Sequence, residues 1–116
     1  MNAKSPECYT TEPQASCLRV EMSTGRIYLL PLDQLAYAQM DTDGKEQLLH
    51  LSFATHEIIV RGNTLRRIET ALHRLELSFI TPLPAKYHSL VAEGQPRIRE
   101  IVVTEIKPGA EPSQLN

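Results

Sequence analysis

Residues 35–60 read LAYAQMDTDGKEQLLHLSFATHEIIV, and their alternation of apolar and polar side chains predicts three consecutive β-strands. Asp43-Gly44 is a strong hairpin signal, because a type I′ turn needs positive φ at both central residues. A second turn is expected at Ala54-Thr55. The predicted register pairs Met40 with Gln47, Ala38 with Leu49 and Ala36 with Leu51 in the first hairpin, and Phe53 with His56, Leu51 with Ile58 and Leu49 with Val60 in the second. The three strands then share one apolar face, and the part of that face formed by the first strand consists of alanines.

A helix is predicted directly after these strands. Gly62 is followed by Asn63 and Thr64, either of which can serve as the N-cap. Apolar residues then recur at the spacing of one helix face, at Leu65, Ile68, Leu72, Leu75 and Phe79. Pro82 ends the helix if it has not already frayed in the Leu77–Ile80 run. We expect this helix to pack over the alanines.

Further strands are predicted on both sides of this region. Residues 17–22 and 27–30 alternate around a Thr24-Gly25 turn, which sets Val20 opposite Leu29. Residues 97–106 form the last strand, and residues 85–93 fit either a strand or a short helix. The predicted fold class is α+β, with a curled antiparallel β-sheet of five to seven strands in a meander and one long amphipathic helix packed on one face.

The chain of 116 residues has the length of a single domain. Residues 1–16 and 107–116 combine prolines with polar residues and lack periodic apolar positions. We predict a flexible N-terminal tail at 1–16, one α+β domain at 17–106 and a flexible C-terminal tail at 107–116.

The sequence predicts a cytoplasmic protein without a membrane partner. No apolar run approaches the length of about 18 residues that a membrane span needs. The first residues lack the apolar stretch of a signal peptide. Cys8 and Cys17 are interpreted as reduced thiols, as is usual in the cytoplasm.

No motif indicates catalysis, so we expect no catalytic residues, no cofactor and no metal site, although an enzyme is not ruled out. The chain has no P-loop and no G-x-S-x-G nucleophile motif. In the predicted register His50 and His56 lie on opposite faces and cannot bind one ion together. Asp41 and Asp43 fit a hairpin turn better than a calcium loop, which needs a 12-residue frame.

One group of basic residues is a candidate anion contact, consisting of Arg61, Asn63, Arg66 and Arg67. Free N–H groups at the start of the predicted helix would bind a phosphate, and the arginines would close around it. The alternative is a solvated helix face with pairs such as Arg66 with Glu69. The net charge of −2, from 12 Lys and Arg against 14 Asp and Glu, gives no general attraction to nucleic acid.

Part of the chain resembles a family of regulators. The sequence LPLDQLAY at 30–37 is followed, after a hairpin, by VRGNTL at 60–65 and by Ile68-Glu69. This pattern looks like the start of LytTR-type DNA-binding domains. The resemblance implies the alternative function, a nucleic-acid-binding regulatory domain that uses the basic helix face. After the helical stretch that family shows a basic segment that approaches DNA, where this chain has LELSFI at 75–80.

The second face of the predicted strands is a candidate interface, formed by Leu35, Tyr37, Leu48, His50 and Ile59. This face is too apolar for a solvated sheet face and too polar for a closed core. Either another part of the chain covers it or a second protein does. We therefore expect a small soluble binding or assembly module without catalytic activity, which forms a homodimer or binds a protein partner.

Overall fold

The computed structural model describes residues 7–106. Over these residues the chain forms eight β-strands, one α-helix and two short 3₁₀ helices. The strands are β1 (Tyr9–Thr11), β2 (Cys17–Glu21), β3 (Ile27–Pro31), β4 (Leu35–Asp43), β5 (Glu46–Phe53), β6 (His56–Asn63), β7 (Leu77–Ile80) and β8 (Arg97–Glu105). The α-helix, α1, spans Arg66–His73, and the 3₁₀ helices span Leu32–Gln34 and Ala85–Leu90.

Within the described residues the strands form two sheets of four strands each. The meander sheet has the order β4-β5-β6-β8, and its neighbouring strands are all antiparallel. The mixed sheet has the order β1-β7-β2-β3, in which only β2 and β7 run parallel. The α+β class is confirmed. The prediction of a single sheet of five to seven strands is wrong, because the first hairpin pairs with β7 and builds a separate sheet.

One apolar core joins both sheets and α1. The mixed sheet contributes Leu18, Val20, Leu30, Leu77 and Ile80, the meander sheet contributes Leu49, Leu51, Phe53, Ile58, Val60, Ile98 and Ile101, and the helix region contributes Leu65, Ile68, Ala71 and Leu72. Full burial of a large aliphatic side chain contributes roughly 1.5–3 kcal/mol. This shared cluster therefore holds the two sheets together.

The helix is shorter than the predicted stripe. α1 ends two residues before Leu75, which takes a left-handed backbone conformation with φ at +57°. The N–H of Glu76 donates to the carbonyl oxygen of Ala71 at 2.8 Å, and the N–H of Leu75 donates to that of Leu72 at 2.9 Å. These two bonds form a Schellman motif, which ends a helix. The prediction of one long helix is therefore wrong: Leu75 is half exposed, and Phe79 belongs to β7.

The start of α1 is not held by either of the predicted caps. Leu65 is the N-cap residue, and its N–H donates to Gln47 Oε1 at 2.7 Å. The side-chain amide of Asn63 donates to the carbonyl oxygen of Lys45 instead. Thr64 adopts a positive φ of 57° and makes no capping bond. The Gln47 side chain, from the neighbouring strand β5, thus takes the place of a local cap.

The register of the meander sheet agrees with the prediction between β5 and β6, whereas the register and turn predicted between β4 and β5 are wrong. β5 and β6 pair as predicted. In the β4–β5 hairpin, Asp43 pairs with Glu46, so the turn is Gly44-Lys45 and the register differs by two residues. Strand side chains alternate between faces with a period of two, so this shift leaves them on their predicted faces.

The first hairpin differs from the prediction by one residue, which reverses the face of β3. Val20 lies opposite Tyr28 rather than Leu29. The N–H of Met22 donates to the carbonyl oxygen of Arg26, so three residues form the loop instead of two. Three-residue hairpin loops are common when a glycine can supply positive φ. As a result Leu29 points to solvent and is 62% exposed.

Residues outside the predicted domain at 17–106 also take part in the fold. Residues 7–16 were predicted to lie in the N-terminal tail, yet β1 falls among them and pairs with β7, and Cys8 is buried. The segment at 85–93, which fitted a strand or a helix, contains the 3₁₀ helix at Ala85–Leu90. The other parts of the predicted tails, 1–6 and 107–116, lie outside the described residues. Among residues 7–106, no helix is long and apolar enough to cross a membrane.

Candidate interface on the outer face of the meander sheet

The outer face of the meander sheet carries aligned rows of side chains across all four of its strands. Strand pairing places Gln39, His50, Ile59 and Val102 in one row. The rows on either side consist of Asp41, Leu48, Arg61 and Glu100, and of Tyr37, Ser52, Glu57 and Thr104. These side chains face outward because the residues next to them in sequence point into the core.

An apolar patch lies at the centre of this face. We define the outer patch as Tyr37, Leu48, His50, Ile59 and Val102. Tyr37 is 51% exposed, Ile59 is 38% exposed and Val102 is 43% exposed, so the described part of the chain does not cover the patch. Contiguous apolar side chains on an open face mark interaction surfaces.

His50 is fixed in the middle of the outer patch. The ring of Tyr37 meets the ring of His50 edge-on, with centroids 5.9 Å apart and planes at 76°. Glu57 Oε1 lies 3.4 Å from His50 Nε2, which is close enough for an ion pair when the ring is protonated. Nε2 is buried and has no hydrogen-bond partner among the described residues. Packing against Tyr37 therefore orients the imidazole at the centre of the outer patch.

Ion pairs border the outer patch at the end of the sheet near the β4–β5 turn. Arg61 Nη1 lies 3.0 Å from Asp43 Oδ2, and Arg61 Nε lies 3.6 Å from Glu100 Oε1. Arg99 donates two hydrogen bonds to Glu46, at 2.6 and 3.0 Å. The bonds from Arg99 hold the pKa of Glu46 below its usual value, and Glu46 in turn raises the pKa of Arg99. Both arginines are thus matched by carboxylates.

Leu35 was predicted on this face and lies on the inner face instead. A β-bulge between Leu35 and Tyr37 inserts one extra residue into β4 and reverses the side chain. Leu35 pairs with the buried Phe53 and packs against the core. The alternation in the sequence gives no sign of this bulge.

The other predicted interface residues come together on the outer face, and the structure adds Val102 from β8. Sequence reasoning missed Val102 because Ile101, Val102 and Val103 are β-branched on both faces of the strand and show no alternation. In addition, no sequence pattern indicated that β8 pairs with β6, the pairing that sets Val102 opposite Ile59.

The predicted anion contact does not form one cluster. Arg61 lies on the outer face in its ion pairs, and Asn63 binds the Lys45 carbonyl. Arg66 lines an open cleft of about 570 Å³ between α1 and β4. Arg67 lines a different cleft, on the other flank of α1 next to β1. These residues therefore have different surroundings in the structure, and the anion contact stays a prediction.

Gly62, which lies near the end of β6, has a packing role. A Cβ atom at this position would overlap the backbone carbonyl of Arg97 in β8. Glycine is required here because two backbones approach closely.

No metal site is found among residues 7–106, and the Cys8 thiol is not activated. No group of three or more His, Cys, Asp or Glu side chains in this range is placed to hold a metal ion. Burial raises the pKa of the Cys8 thiol to about 11, and its Sγ lies 3.4 Å from the carbonyl oxygen of Pro96. Cys8 is therefore protonated at neutral pH and a poor nucleophile. Cys17 is a free, exposed thiol.

Comparisons of the chain with protein-family models, with curated proteins and with solved structures find no match. The resemblance of residues 30–69 to LytTR-type domains is thus not accompanied by a family-model match.

Proposed function

We propose that the protein is a small assembly module that self-associates through the outer patch and acts by binding, without catalysis. In the resulting homodimer two meander sheets pack face to face. The observation that carries the proposal is the exposure of Tyr37, Ile59 and Val102 on one sheet face whose other side is the protein core. Two sheets whose facing sides are apolar pack together with their side chains interdigitated.

The size of the outer face is sufficient for a reversible dimer. Four strands spaced about 4.8 Å apart, with eight residues rising about 3.3 Å each, give a face of roughly 500 Å². Two copies would then bury roughly 1,000 Å² in total, which is near the lower limit for a specific interface. We expect pairing at micromolar concentrations.

The charges bordering the outer patch permit the approach of a second copy. Arg61 and Arg99 are each paired with carboxylates of their own chain. Asp41 and Glu57 on the same face have no arginine partner among the described residues, so the two copies must be oriented such that these carboxylates do not face their counterparts. Tyr37 would bury its ring and keep its hydroxyl for a polar partner at the rim, as tyrosines at interfaces do.

The substitution Ile59→Asp tests the proposed function. An unpaired carboxylate at the centre of a buried face is costly, so the variant should have half the mass of the wild type in light scattering. The wild type should have at least twice the mass of one chain, which is 13.1 kDa. Leu29→Asp is the matched control, because it puts the same charge on a 62% exposed leucine of the mixed sheet and should leave the mass unchanged.

A wild-type mass of 13.1 kDa at micromolar concentration would contradict the proposal. Thermal melting of Ile59→Asp checks that the monomer stays folded, as expected for a side chain that is already 38% exposed. If that variant does not fold, Tyr37→Glu makes the same test at the most exposed position of the outer patch.

A further inference from the structure

We propose that the free edge of β4 is a second docking site for another copy of this chain, at which two β4 strands pair antiparallel and join two meander sheets into one sheet of eight strands. This contact goes beyond face-to-face pairing, because it uses the backbone of an edge strand rather than the side chains of a face. Among the described residues β4 pairs with β5 alone. Its other edge therefore offers backbone N–H and C=O groups to a further strand.

The two edges of the meander sheet differ in composition. Residues 37–40 of β4 follow the bulge and contain no charge and no proline. β8, at the opposite edge, contains Arg97, Arg99, Glu100 and Glu105 and has a bulge near Arg99. Charges and bulges keep edge strands from pairing with other chains. The charges and the bulge protect the first half of β8 against strand addition, but residues 101–104 of β8 are uncharged like residues 37–40 of β4, so the open cleft beside β4 is what distinguishes its edge.

The hairpin turn determines which residues of β4 present their backbone to the free edge. The two-residue turn Gly44-Lys45 is closed by the pair of Asp43 with Glu46. The pair that closes such a turn exchanges hydrogen bonds, and bonded and non-bonded pairs then alternate along the strands. The backbone groups of Asp41, Gln39 and Tyr37 therefore make the hydrogen bonds to β5. The backbone N–H and C=O groups of Thr42, Met40 and Ala38 point to the free edge.

Space beside this edge is open on the inner side of the sheet. The cleft of about 570 Å³ between α1 and β4 is lined by Leu35, Ala38, Met40 and Leu72, among others. Ala38 is exposed although it faces the same side as the core residues of β5. A second β4 strand would bring its own Met40 next to Ala38 and fill part of this cleft with apolar atoms.

β4 is complementary to itself when the two-fold axis passes through Gln39. This register sets Ala38 opposite Met40 of the second copy, and both of these residues have outward-facing backbone groups. It also sets Tyr37 opposite Asp41 of the second copy, so that no carboxylate faces another. A parallel arrangement would place Asp41 and Asp43 beside their own copies, and like charges directly opposite are destabilising. This self-complementarity identifies the occupant as a second copy of the chain.

Edge pairing and face pairing use different surfaces and can occur together. A sheet of eight strands doubles the outer face to roughly 1,000 Å². Two such sheets packed through their outer patches bury an area well inside the range of stable interfaces. Two isologous contacts close into a tetramer when their two-fold axes intersect at right angles, and in that arrangement the wild-type mass should be close to four times 13.1 kDa.

Ala38→Pro is the first test of the edge contact. Proline removes an N–H that points to the free edge and should leave the bonds between β4 and β5 in place. We expect this variant to have half the wild-type mass in light scattering. Ala38→Ser keeps the backbone N–H and is the matched control. If Ala38→Pro does not fold, Ala38→Lys tests the same edge with a charge.

Disulfide trapping is the second test, and it depends on the register. Gln39 lies on the proposed two-fold axis as a non-bonded pair, where Cα atoms are about 4.5 Å apart and within reach of a disulfide. In a Cys17→Ser and Ile59→Asp background, in which the face contact is absent, Gln39→Cys should form a chain-to-chain disulfide on mild oxidation. Thr42→Cys, which lies off the axis, should not form one.

The outcomes separate this inference from the proposed function. If Ala38→Pro leaves the mass unchanged and Gln39→Cys links no faster than Thr42→Cys, the edge contact is wrong, while a mass halved by Ile59→Asp still supports the outer patch. If Ala38→Pro halves the mass and Ile59→Asp does not, the edge contact holds and the face contact is wrong. A monomeric wild type contradicts both.

Discussion

Leu75 adopts a backbone conformation that leucine rarely takes, with φ at +57°. In the sequence it continues the apolar stripe of Leu65, Ile68 and Leu72, and this spacing predicts a buried helical residue. In the structure its side chain is 52% exposed, because the Schellman motif at this position turns the chain out of the helix. The helix thus ends at a residue that no local signal, such as glycine, identifies.

Leu75→Gly should therefore stabilise the protein. Glycine removes the cost of a left-handed conformation, which is roughly 1–2 kcal/mol, although it also gains entropy in the unfolded chain. We expect a rise of about 1 kcal/mol in the free energy of unfolding, measured by urea denaturation. Leu75→Ala is the control, since alanine keeps the strain and should give no rise. A Leu75→Gly variant less stable than Leu75→Ala would show that the left-handed conformation is not the main cost at this position.

At the scale of the element, α1 is anchored by a few large side chains. Leu72 is 4% exposed and belongs to the core shared by both sheets. Leu72→Ala should lower the free energy of unfolding by about 2–4 kcal/mol, as large-to-small changes in cores do. His73→Ala, at the exposed neighbouring position, should change it by less than about 0.5 kcal/mol. Equal effects of the two changes would mean that α1 is not packed on the sheets through Leu72.

Elements with clear alternation could be predicted from the sequence, and short apolar runs could not. β5 and β6 alternate over eight residues each, and their register is the predicted one. Leu77–Ile80 is only four residues long, and a short apolar run fits a helix and a strand equally well. Its pairing with β1 and β2 decided the outcome, and such long-range contacts leave no local pattern.

At the scale of the whole molecule, the sequence located most of the outer patch but not its surroundings. The structure places four of the predicted residues on one face, namely Tyr37, Leu48, His50 and Ile59. The observed register differs from the predicted one by two residues or not at all, and an even shift keeps each side chain on its predicted face. A β-bulge in β4 places the Leu35 side chain on the opposite face, and no feature of the sequence indicates this bulge. Whether the face is open depends on the path of the whole chain. The mixed sheet lies across the core instead of over the outer face, so no residue between 7 and 106 covers the patch.

Intermolecular contacts measured by NMR in a mixture of isotope-labelled and unlabelled chains test the face contact most directly. If the outer patch is buried between two copies, the methyl groups of Ile59 and Val102 should show cross-peaks to protons of the other chain, and these cross-peaks should disappear in Tyr37→Glu. Methyl groups of Leu29, on the exposed face of the mixed sheet, should show none. The absence of intermolecular cross-peaks at Ile59 and Val102, or their appearance at Leu29 alone, would contradict the proposed assembly.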